Sequence, residues 1–219
     1  MKAPSDHIYN TLRREINSGL LEPGKRLIEV HLAKRFHTSR SKIRDVLKKL
    51  ELSGMVTISP NKGAVVRQPS LWEIKTSYEV QSVLEGLACF LSVPRITEKD
   101  IRMLIKINQK MEKMVDGSVF EWEKLNGSFH RIFIEKSENE RIDKIIHGLD
   151  LFARYWYIML SIPGTRNKSI EDHRKIIEAV KERKPYLAKK FMEEHILEAS
   201  NKFIDILESL PKQWTQSEI

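Results

Sequence analysis

Ile8, Leu12 and Ile16 recur at i, i+4 and i+8, the spacing of one helical face, and Gly19 closes the run. Residues 6–18 are therefore predicted to form a short amphipathic helix. Glu22-Pro23-Gly24 then turns the chain. Residues 31–55 read as a helix, a tight polar turn and a second helix with two unlike faces. At about 100° per residue Ile43, Val46, Leu47 and Leu50 gather on one side, while Arg40, Ser41, Arg44 and Lys48 gather on the other. Thr38 or Ser39 can cap the second helix by accepting from its free N–H groups. Two β-rich runs, Val56–Ile58 and Ala64–Val66, flank Ser59-Pro60-Asn61-Lys62-Gly63, which predicts a two-stranded wing with turn residues at its tip.

Pro69 stops the second wing strand and Ser70 can start a helix. Beyond that point breakers at Pro94, Gly117, Ser137 to Asn139, Pro163-Gly164, Pro185 and Pro211 cut the chain into helical segments. These are expected near 71–92, 97–116, 119–136, 140–160, 169–183 and 185–209, with Ser169 capping the fifth. Convincing strand patterns, internal repeats and low-complexity tracts are missing from this half. The expected fold is mostly α, with an N-terminal winged helix-turn-helix over residues 1–68 and an all-α antiparallel helical bundle over 74–212. Residues 69–73 are assigned to a linker and 213–219 to a tail.

Charge sharpens this division. Residues 1–68 hold 14 Lys and Arg against 6 Asp and Glu, whereas residues 69–219 hold 24 against 24, so the whole net charge of +8 sits on the first module. Basic charge concentrated in this way is the footprint of phosphate binding. A basic membrane-surface module would need an exposed apolar face beside its bases, and here the apolar positions are committed to a core. The pattern therefore predicts a double-stranded DNA reader. Arg40, Ser41 and Arg44 would sit in the first turns of the recognition helix, with Ser39 at its start, Lys48 on phosphate, and Lys62 and Gly63 at the wing tip.

With 219 residues and 41% hydrophobics the chain can bury two cores. No 18-residue apolar run is present, and the polar opening from Met1 to Asp6 does not read as a secretion leader, so a cytoplasmic protein without a membrane partner is expected. The single cysteine, Cys89, lies in the apolar run Leu87–Leu91 and is expected in a core.

Three histidines in the helical half fall on apolar stripes. His195 shares a face with Ala188, Met192, Ala199 and Phe203; His173 with Ile176, Ile177 and Val180; His130 with Phe133, Ile134 and, one turn earlier, Asn126. Any one of them alone reads as a hydrogen-bonded core imidazole. Three inward histidines on three helices, with an Asn at i−4, point instead to a shared site for a divalent transition ion, zinc or nickel first. Glu171, Asp172, Glu193 and Glu194 lie close in sequence, but their angles place most of them off the inner face. The groups that orient the imidazoles are thus not named by the pattern.

These residues also carry a resemblance. Ile16-x-x-Gly19-x-x-x-Pro23-Gly24-x-x-Leu27, Leu32-Ala33-x-x-Phe36, Ser39-Arg40-x-x-Ile43-Arg44-x-x-Leu47 and Leu50-x-x-x-Gly54 resemble the DNA-binding domain of the GntR superfamily of bacterial transcription regulators. Tyr78-Glu79-Val80-x-x-x-Leu84-Glu85, Phe129-His130, Ser137-x-Asn139 and Ser169-x-x-x-His173 are similar to the FadR-type effector domain, FCD, in its shorter six-helix form. The resemblance implies a homodimeric regulator, expected as a metabolite-responsive repressor, that binds a near-palindromic operator and answers to a small carboxylate effector. Family metal sites use an Asp/Asn-x-x-x-His pair and two later histidines, which Asn126, His130, His173 and His195 match position by position. Asn is here in place of the commoner Asp, and Gln81 stands where an Arg usually helps engage the effector. Arg154 could supply that charge.

The rival class is a metal-dependent hydrolytic enzyme built on the bundle. It ranks below regulation, since no His-Glu-x-x-His, Gly-rich phosphate loop or Gly-x-Ser-x-Gly elbow is present.

Overall fold

The computed structural model describes residues 4–59, 63–68, 70–148 and 159–209. The chain divides into two compact units, with the boundary at Pro69 and Ser70.

In the first unit, helix α1 (Ser5–Asn17) buries Ile8, Leu12 and Ile16. Helices α2 (Glu29–Arg35) and α3 (Arg40–Leu52) form the helix-turn-helix, and α1 packs on α3. Their inner faces meet Met55, Val56, Ala64 and Val66 in one apolar cluster. Strands β2 (Val56–Ser59) and β3 (Gly63–Val66) pair antiparallel as the wing. The sheet has a third strand that the sequence pattern did not predict, β1 (Arg26–Leu27), which pairs with β3 through Arg26↔Val65 and Leu27↔Ala64. Two residues are too few to show a period of two, so such a strand is visible only through its partner.

The turn between α2 and α3 passes through His37 at φ 48°, a left-handed conformation that a side chain with a Cβ adopts at a cost. His37 is exposed, so its ring gains little packing in return. His37→Gly is expected to stabilise the protein by about 1 kcal/mol, the relieved strain outweighing the added freedom of the unfolded chain. Thermal or urea melting of the full chain measures this, and a lowered midpoint would count against it.

In the second unit, α4 (Leu71–Ser92), α5 (Glu98–Lys113), α6 (Val119–Lys136), α7 (Glu140–Gly148), α8 (Thr165–Lys181) and α9 (Pro185–Ser209) form the helical bundle. Helix α4 packs against α9, α6 and α7, while α8 packs against α9 and α5. Trp122, Phe129, Phe133 and Phe203 are fully buried among them. Two starts are capping boxes written in the sequence: Ser70 with Glu73, and Thr97 with Asp100. The first box puts residues 71–73, assigned above to the linker, into the opening turn of α4.

The segment expected as a helix at 140–160 contains α7, and its residues 149–158 lie outside the described residues. Helix α8 begins four residues before its predicted start. Gly164, left-handed at φ 79°, occupies the N-cap, and Ser169 is buried inside the helix, not at its cap. The turn Thr165-Arg166-Asn167-Lys168 carries no apolar residue, so the periodic signal starts late.

Candidate functional site

The reading helix α3 is assembled as its pattern requires. Ile43, Val46, Leu47 and Leu50 are buried, while Arg40, Ser41, Arg44 and Lys48 are exposed on the other side. Ser39, exposed, is the N-cap, its hydroxyl accepting from the Lys42 N–H at 3.3 Å. Gly63, at the start of β3, is exposed with φ 75°, so the wing tip uses the backbone freedom of glycine there. Lys62 lies outside the described residues, and so does Arg154.

Sequence reasoning missed one residue on this face. The Glu29 carboxylate accepts from Arg44 Nε and Nη2, both at 2.9 Å, and from Arg40 Nη2 at 3.4 Å. The hydrogen bond from Arg44 is the main cause that holds the Glu29 carboxyl below its ordinary range.

The second constellation lies inside the bundle. His130 on α6, His173 on α8 and His195 on α9 are all buried, and each offers a ligand atom within 4.8 Å of the others. Their ring centroids are 5.4 Å apart for His130 and His173, 5.3 Å for His130 and His195, and 4.9 Å for His173 and His195. Asn126, one turn before His130 on α6, is buried as well.

What orients the rings is a pair of carboxylates. Glu85 of α4 lies with Oε2 at 2.6 Å from His130 Nδ1, and its Oε1 accepts from Gln81 Nε2 at 2.7 Å. Asp172 of α8 stands with Oδ2 at 3.7 Å from His195 Nδ1 and also receives Lys168 and Lys175. Each carboxylate faces the Nδ1 edge of its imidazole and leaves the Nε2 edge to the cluster, the arrangement by which a carboxylate fixes the tautomer of a metal-binding histidine. Burial alone would raise the Glu85 carboxyl, but the His130 and Gln81 contacts hold it below its ordinary value. Asp172 is likewise pushed up by burial and then held well down by His195, Lys168 and Lys175.

Sequence reasoning assigned an orienting role to neither group. Glu85 is an acid on the inner face of α4, between buried Ser82 and Ala88. Asp172 is buried, against the expectation that acids near His173 point away, whereas Glu171 and Glu194 are exposed as expected.

A core-imidazole reading requires partners for the ring nitrogens, and among the described residues four of the six have none. His130 Nε2, His195 Nε2, both nitrogens of His173 and Oδ1 of Asn126 are buried without a hydrogen-bond partner. His173 instead stacks its ring on Phe129, with centroids 3.7 Å apart and planes 8° from parallel. Leaving one buried polar atom unpaired costs about 1–3 kcal/mol. A cluster of them in one place points to a shared ligand. Burial lowers the basicity of His173 and His195, which favours the neutral imidazole, the form whose nitrogen lone pair a metal takes. The residues present therefore fit a divalent cation.

The same two-part organisation appears in known proteins. Residues 4–66 match the gntR family of bacterial regulatory proteins, and residues 76–198 match the FCD domain. The HTH-type transcriptional regulator YdhC of Bacillus subtilis (strain 168) is 27% identical over 190 residues, 85% of either chain. The Nta operon transcriptional regulator of Aminobacter aminovorans is 28% identical over 187 residues, covering 84% of this chain and 87% of its own. The HTH-type transcriptional repressor RspR of Escherichia coli (strain K12) is 23% identical over 198 residues, covering 90% and 87%. Among solved structures, E. coli McbR/YncC shares the fold with a TM-score of 0.74 at 20% identity, over 98% of this chain and 100% of that one. The chain belongs to the GntR family of bacterial regulatory proteins, in the FadR-type form with an FCD domain, and is a DNA-binding transcription regulator, not an enzyme.

Proposed function

We propose that the protein is a metabolite-responsive repressor that binds a near-palindromic operator as a homodimer in the cytoplasm. Residues 1–68 read the DNA and residues 74–212 bind the effector and dimerise. Asn126, His130, His173 and His195 hold one divalent transition ion, zinc or nickel. The observation that carries the sensing part is the convergence of three buried histidines whose cluster-facing nitrogens have no partner. A cation held there supplies positive charge for an anionic oxygen of the effector, expected to be a small carboxylate metabolite. Gln81 can donate only as an amide and is already drawn to Glu85, so charge neutralisation falls to the ion and not to α4. Arg154 remains a candidate second cation.

Dimerisation is supported by α4. Trp72, Val80, Val83 and Leu87 are exposed, and at about 100° per residue they share one face of that helix. A second copy would cover this apolar stripe and place two recognition helices on a symmetric site. Sedimentation of the full chain at micromolar concentration should give a dimer, and the pair Val83→Glu with Leu87→Glu should shift it to monomer. A wild-type monomer, or a dimer indifferent to these charges, would contradict this interface. No helix among the described residues is long and apolar enough to cross a membrane.

Elemental analysis and zinc or nickel titration of the purified full chain test the sensing site. About one ion per chain is expected. A protein that neither carries nor accepts an ion would overturn the metal assignment.

A further inference from the structure

Glu29 opens α2, and its carboxylate gathers both arginines of the reading face. Exposed ion pairs of this kind contribute little to stability, so the arrangement needs another reason. Its geometry supplies one. Arg44 binds side-on: Nε–H and one Nη2–H go to the carboxylate, at 2.9 Å each. The two Nη1 hydrogens and the second Nη2 hydrogen make no hydrogen bond among the described residues and lie at the tip of the side chain. That tip is the planar fork that pairs with O6 and N7 of guanine in the major groove. An arginine held along its side loses less freedom on meeting a base than one that must first be ordered. A carboxylate beside the DNA also repels phosphate, so it weakens binding to every sequence that does not satisfy the fork.

We propose that Glu29 is a positioning residue that holds Arg44 side-on, with Arg40 steered by the same carboxylate, so that the free fork of Arg44 is presented to a guanine of the operator. This rests on the assignment of α3 as the reading helix. Its role is discrimination between sequences and not affinity as such. Neutralising Glu29 should therefore raise or leave unchanged the binding to arbitrary DNA while weakening the binding that depends on the guanine.

The test uses the full-length protein in four forms: wild type, Glu29→Gln, Arg44→Ala and the double variant. Affinity is measured by fluorescence anisotropy, at fixed salt, on a duplex selected from a randomised library and on a scrambled duplex of equal length. Glu29→Gln is expected to reduce the ratio of selected to scrambled affinity about tenfold. Glu29→Asp, which keeps the charge but withdraws it by one methylene, should fall between. In the Arg44→Ala background Glu29→Gln should produce no further loss, because the residue it positions is gone. An unchanged ratio in Glu29→Gln, with a collapsed ratio in Arg44→Ala, overturns the positioning role while leaving α3 as the reader. A tightened selected affinity at constant ratio overturns it too, since the carboxylate would then only compete with DNA. A wild type that selects no sequence removes both this inference and the reading on which it rests.

Discussion

His173→Ala is expected to abolish metal binding while leaving operator binding by the N-terminal unit measurable. His173 is fully buried, and it is the only histidine of the cluster with both ring nitrogens unpartnered. A ring whose nitrogens served only the core would instead leave ion content unchanged when removed. Because the Phe129 stack is lost as well, a fall in melting temperature accompanies the change. The gain-of-function variant separates the two effects. Asn126→Asp places a negative charge at a buried oxygen that has no donor, which should lower the melting temperature of the metal-stripped protein. The same charge should tighten a divalent ion by roughly tenfold or more. Calorimetric titration with zinc and nickel checks both, and equal affinity in wild type and Asn126→Asp would show that Asn126 does not face the ion.

The second large effect belongs to the reading helix. Arg44→Ala is expected to weaken binding to a selected operator by roughly tenfold to a hundredfold and to relax preference at one base pair. Lys48→Ala should weaken selected and scrambled duplexes alike and reduce the slope of log affinity against log salt by about 1. The contrast follows from position. Arg44 is two turns nearer the start of α3 than its last residues and is held to Glu29, whereas Lys48 is exposed one turn further along. Parallel losses on all DNA for both variants would place Arg44 on phosphate and not on a base.

Amphipathic helices with a wide apolar face were legible in the sequence. The stripe Ile43, Val46, Leu47 and Leu50 had an unambiguous helical period, and the β-rich runs Val56–Ile58 and Ala64–Val66 were bounded by turn residues; the structure places a helix and two strands there, each strand one residue longer on the side of the turn. The converging histidines were legible for the same reason, since an inward angle on three helices of one bundle leaves few places for the rings to go. What escaped were features set by a partner distant in sequence. Strand β1 exists through β3, and the start of α8 depends on the left-handed Gly164 and not on Ser169. Glu85 and Asp172 were missed because an acid on a helix says nothing of the imidazole that another helix brings to it. Glu29 was missed likewise: its meaning lies in the arginines that α3 sets opposite.

Enrichment of duplexes from a randomised library by the full-length protein, at near-physiological salt, probes the reading function most directly. An inverted repeat should emerge, with half-site centres about 10 bp or a multiple apart, and with a guanine whose enrichment disappears in Arg44→Ala. Binding that is salt-sensitive but enriches no sequence would contradict a symmetric, base-reading regulator and leave only a basic module on the phosphate backbone.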